Sequence, residues 1–122
     1  MGFLKRAIAQ TIKTVMHYKE LEFKVAGVTF KNGRKNRQTI LKHMKQGKAP
    51  FDNGCKITFE RYDFEGELAI SVLANGEQIG NVPRKLIAEF DEYWVSDYIV
   101  ESWTVTGSEP YGCTIKVLFN NK

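Results

Sequence analysis

The chain has 122 residues, 43% hydrophobic and 26% charged, a globular balance that argues against intrinsic disorder. That length suffices for one domain with one core, and no apolar run approaches the roughly 20 residues of a bilayer span. The net charge of +4 is unevenly placed: residues 1–51 carry twelve Lys/Arg against two acids, and residues 52–122 carry six against twelve. From Phe23 to Phe51 there is no acid at all. One face should therefore project a positive field toward a polyanion, or toward the acidic half of a second copy; solubility is the plainer use of such charge.

Lys5 and Arg6 sit near the start, but no apolar stretch of signal-peptide length follows and Lys13 interrupts the next attempt. The expected location is cytoplasmic. Phe3, Leu4, Ala7, Ile8, Ile12, Val15 and Met16 recur at helical spacing, which predicts an amphipathic helix over 3–18. It could pack on the domain, bind a partner or lie on a membrane surface. Residues 1–20 are thus read as a helical segment and 21–122 as the domain proper.

Glu22 to Lys31 is rich in β-formers, and Gly27 predicts a bulge where the two faces exchange. Asn32-Gly33 ends that strand. A helix is expected over Arg34–Gln46, with Ile40, Leu41 and Met44 as its apolar stripe and Gly47 and Pro50 as its stop. Cys55 to Glu60 alternates as a strand, and a polar link then leads to a second strand at Leu68–Ala74. Asn75-Gly76 separates this from Glu77–Val82, a strong hairpin signal because both loop positions need positive φ. Pro83 suits the first turn of a helix whose stripe is Leu86, Ile87, Phe90 and Trp94. Tyr98–Val105 and Cys113–Phe119 are the last two strands. Six strands with two short helices and no βαβ rhythm predict an α+β, mainly β fold, most simply a partly open barrel that hides its strand edges.

Cys55 and Cys113 each fall on the apolar side of an expected strand, where cysteine acts as a small hydrophobe. His17 and His43 have no ligand spacing to either thiol. Asp63, Glu65 and Glu67 alternate and would share one face of an extended chain, yet a solvated acidic loop is the simpler reading. No phosphate-cradling glycine loop is present. The sequence therefore points to binding rather than catalysis, with no cofactor and no metal. A basic groove with aromatic faces would take single-stranded nucleic acid. Its wall would be Lys31, Arg34, Lys35, Arg37, Lys42, Lys45 and Lys48, and its platforms Phe30 and Tyr62; each lysine alone is equally a solubilising group.

Val25-Ala26-Gly27-Val28-Thr29-Phe30, together with Ala69-Ile70-Ser71-Val72 and Asn75-Gly76-Glu77-Gln78-Ile79-Gly80-Asn81-Val82-Pro83-Arg84, resembles the HIRAN domain family over about residues 23–119. The resemblance implies an OB-like six-stranded barrel that grips the free 3′ end of single-stranded DNA, in repair, replication or phage biology. It implies roles for Phe30, Asn81 and Arg84, with Arg61 and Tyr62 nearby. The family's first-strand arginine–tyrosine pair stands as Thr29-Phe30 here, its acidic position as Gly66, and its asparagine before Ala-Ile as Leu68. The second expectation is accordingly a protein-interaction or assembly module, self-associating through residues 3–18, that keeps the barrel without the DNA-end pocket.

Overall fold

The computed structural model of the chain describes residues 18–95 and 97–120. Of the helix expected over 3–18, residues 3–17 lie outside the described residues, and Tyr18 opens a strand. That strand, β1 (Tyr18–Lys24), buries Leu21 and Phe23, and Val25 continues the same apolar alternation. It pairs antiparallel with β8 (Gly112–Asn120), which in turn pairs with β7 (Tyr98–Thr106). A second antiparallel sheet holds β4 (Ile57–Phe64), β5 (Glu67–Ala74) and β6 (Glu77–Asn81). The chain is mainly β, with two α-helices among the described residues.

The expected strand over Glu22–Lys31 is shorter than its composition suggests. Beyond Val25, Ala26 leaves the first sheet and bridges Asn81 in the second, with paired N–H···O bonds of 2.8 Å in each direction. Gly27 is not a bulge: its φ of +70° starts a tight turn closed by the Phe30 N–H on the Gly27 carbonyl. The register shifts lie elsewhere, between Val72 and Leu73 in the β5–β6 pairing and between Val100 and Ser102 in the β7–β8 pairing.

The expected helix start at Arg34 also moves. Lys31–Asn32 (β2) and Lys35–Asn36 (β3) form a small hairpin, and helix α1 runs Arg37–Gln46. The Asn36 side chain caps it by accepting from the Gln38 N–H at 2.9 Å, which explains the later start. Gly47 ends it in the left-handed conformation, as expected. Buried Ile40, Leu41 and Met44 hold α1 against β6 and β7, so one helix spans both sheets.

The polar link expected after Glu60 is in fact the rest of a hairpin. β4 continues to Phe64, turns through Glu65 and Gly66 at φ of +52° and +85°, and returns as β5. Asp63, Glu65 and Glu67 therefore do not share one extended face. The Asn75-Gly76 turn is as expected, with φ of +49° and +84°. After Pro83 a short 3₁₀ turn (Arg84–Leu86) leads into α2 (Ile87–Tyr93), whose Phe90 is fully buried. Its ring meets Phe23, Phe59, Trp94 and Phe119 edge-on at centroid distances of 4.9–6.0 Å.

Cys113 is buried in β8, while Cys55 is half-buried just before β4 rather than within a strand. Burial pushes the Cys55 thiol up to about 11 and Cys113 up to about 12, so neither is a thiolate at neutral pH. An opening of about 580 Å³ lies between the start of β4 and β7, lined by Ile57, Val100 and Trp103 among others. Tyr98 also lines it, and burial pushes its hydroxyl above the ordinary tyrosine value, an effect that the Phe59 backbone partly offsets.

Candidate functional site

The joint at Ala26 and Asn81 brings four local structures to one place: the 27–30 turn, the first residue of α1, the β4–β5 hairpin and the end of β6. Between them is a cleft of about 480 Å³. Phe30, Arg37, Tyr62, Asn81 and Arg84 all line it, so five of the twelve candidate residues of the sequence converge there.

Two aromatic rings face solvent at the cleft. Phe30 is 67% exposed because the turn at Gly27 lifts it out of the sheet, and Phe64, the last residue of β4, is 57% exposed. Leu68 at the start of β5 is also exposed. Scattered apolar residues on a surface need no explanation, but three lining one concavity do.

A hydrogen-bond network runs from the cleft into the β2–β3 hairpin. Asn81 Nδ2 donates to the Tyr62 hydroxyl, and Gln78 Nε2 donates to Asn81 Oδ1 at 3.3 Å. Asn32 Nδ2 donates to the Gln78 carbonyl at 2.5 Å, tying the β2–β3 hairpin to β6. Arg37 Nε donates to Asn32 Oδ1 at 2.7 Å, and its Nη1 donates to the Gly27 carbonyl at 2.8 Å. Such a network fixes side-chain positions before any ligand arrives. At the rim, Arg84 Nη2 donates to Glu67 Oε2 at 2.5 Å, with both side chains largely exposed.

The other seven, Lys48 among them, do not line this cleft. Arg61 points to the opposite side of β4 from Tyr62, as strand alternation requires. There it donates to Asp91 at 2.6 Å and to the Trp94 carbonyl, and stacks 3.9 Å over the Trp94 ring. Lys45 donates to the Gly107 carbonyl at 2.7 Å and lies over Tyr111. Lys42 is on the exposed side of α1, and Lys31 and Arg34 are on the β2–β3 hairpin, where Lys35 pairs with Glu77.

Phe64, Leu68, Glu67 and Gly27 also line the cleft without having been singled out as site residues. Phe64 had a visible signal, an aromatic one position out of step with buried Phe59 in an otherwise charged strand end. Among the described residues, no three His, Cys, Asp or Glu side chains gather as a metal site would require. No helix among the described residues is long and apolar enough to cross a membrane. No family model, curated protein or solved structure matches the chain.

Proposed function

We propose that the chain is a non-enzymatic module that binds single-stranded nucleic acid, DNA or a DNA end foremost, in the cleft at the Ala26–Asn81 joint. The observation that carries this reading is the pairing of exposed Phe30 and Phe64 with Arg37 and Arg84 around one concavity. Unpaired bases offer π faces to aromatic rings while their phosphates need cations, and a single-strand site supplies both. Lys31 and Arg34 on the β2–β3 hairpin lie outside the cleft, where their charge would still attract the backbone of a bound strand. We read the six longer strands, joined at Ala26–Asn81 and open between β4 and β7, as the OB-like, partly open barrel that the HIRAN resemblance implies.

Phe30→Ala should weaken binding of a single-stranded oligonucleotide by tenfold or more, since a stacked base is worth about 1–3 kcal/mol. Because the ring is exposed, circular dichroism should show an unchanged fold. Arg84→Ala should cost less than that, because Glu67 already occupies the guanidinium and the exchange for phosphate is nearly balanced. Fluorescence anisotropy of a labelled oligonucleotide reads both. Wild-type affinity in Phe30→Ala would sink the stacking role.

A second reading has one observation in its favour. Phe64 and Leu68 could equally seat an apolar side chain of a protein partner, and Glu67 neutralises part of the rim. Binding that ignores ionic strength would mark that case.

A further inference from the structure

Arg37 is only 8% exposed and is the buried charged residue among those described. Its two hydrogen bonds go to neutral acceptors, the Gly27 carbonyl and Asn32 Oδ1. Among the described residues no carboxylate pairs with it: Glu67 is engaged by Arg84, and Glu65, the other acid lining the cleft, forms no ion pair with it. A guanidinium removed from water without a counter-ion is strongly unfavourable, and folds seldom keep one unless something supplies the charge.

Three further features sharpen the point. Arg37 is the first residue of α1, whose first turn contains no acid, so the partial positive charge of the helix N-terminus adds to its own. Burial lowers its pKa from the ordinary arginine value, and Tyr62 opposes that only in part. Gly27 lies between Arg37 and Phe30, where a Cβ would come within 3.2 Å of both side chains. The missing side chain thus leaves guanidinium and ring beside the same stretch of backbone, a charged and an aromatic contact surface on either side of Gly27.

We infer that Arg37 is a pre-formed oxyanion receptor and that the cleft accepts one phosphate-bearing nucleotide unit, its phosphate on Arg37 and its base against Phe30. For the base, this rests on the nucleic-acid reading above; for the anion it stands on the unneutralised arginine alone. A cleft of about 480 Å³ is within the range of small-ligand sites and suits one such unit. The unit could be a free mononucleotide or one residue of a strand, and both present the same chemistry.

Isothermal titration of the full chain with adenosine 5′-monophosphate, adenosine 3′-monophosphate, adenosine and a short single-stranded oligonucleotide separates these sources. At least one monophosphate should bind tenfold or more tightly than adenosine. Arg37→Lys, which keeps the charge but loses the planar fork, should remove most of that difference. Should the variant not fold, the Nε–H resonance of Arg37 in the wild type should shift with the monophosphate and stay fixed with adenosine. Equal affinity for monophosphate and nucleoside, or an unmoved Arg37 resonance, overturns the inference. Oligonucleotide binding that persists in folded Arg37→Lys overturns the assignment of Arg37 while leaving the single-strand reading intact. Phosphate-dependent mononucleotide binding without oligonucleotide binding does the reverse. Binding of neither overturns both.

Discussion

Phe90→Ala should destabilise the fold by about 3–5 kcal/mol, the usual cost of truncating a fully buried phenylalanine. Phe90 is the hub of the aromatic cluster: it touches Phe23 from β1, Phe59 from β4, Trp94 beyond α2 and Phe119 from β8. Those partners come from both sheets, so the cavity left behind cannot be closed by moving one element. Part of the loss is apolar transfer, and part is the edge-to-face contacts, worth about 0.5–1.5 kcal/mol per pair. The melting temperature should fall by roughly 10–20 °C, and the urea midpoint should fall with little change in slope. Val95→Ala, at an exposed position, serves as the control and should melt with the parent. Parental stability in Phe90→Ala would show that α2 does not seat its ring in the core.

Gly80→Ala should cost about 1–3 kcal/mol and weaken ligand binding at the same time. Gly80 lies in β6 where the tail of β1 crosses onto the second sheet, and an added Cβ would collide with the Ala26 carbonyl oxygen and Val25 Cγ1. The obstacle is backbone, so rotation of a side chain cannot relieve it. To make room, the Ala26–Asn81 bridge must open, and that bridge links the backbones of the two sheets next to the Asn81–Tyr62 hydrogen bond. Thermal melts should show the loss of stability, and cross-strand proton contacts between Ala26 and Asn81 should weaken. A variant that melts like the parent and keeps those contacts would contradict the close approach.

The parts of the fold visible in the sequence are those where local pattern and tertiary role agree. Cys113–Phe119 and Leu68–Ala74 alternate because each covers one core, and Asn75-Gly76 marks its turn because both residues are needed at positive φ. The misplaced boundaries are those set by distant partners. Val25–Phe30 is composed like a strand, but Ala26 is drawn to Asn81, 55 positions away, and Gly27 then turns the chain outward. Glu60–Glu67 resembles a link because both strand ends project past the core and carry charge, and Glu-Gly is a weaker turn signal than Asn-Gly.

The site was legible in its residue types more than in its arrangement. Phe30, Arg37, Tyr62, Asn81 and Arg84 do meet, yet sequence could not show that Arg37 is buried and unneutralised while Arg84 is exposed and paired. Arg61 and Tyr62 are neighbours in sequence, and only the orientation of β4 sends one to Trp94 and the other to the cleft.

The most direct test of single-strand binding is a fluorescence-anisotropy titration of the full chain with a single-stranded oligonucleotide, repeated across a series of salt concentrations. Binding should be measurable at low salt, and the logarithm of the association constant should fall linearly with the logarithm of salt, by about 0.7 for each phosphate neutralised. Binding that does not change with salt, or no binding to any oligonucleotide at low salt, would contradict it.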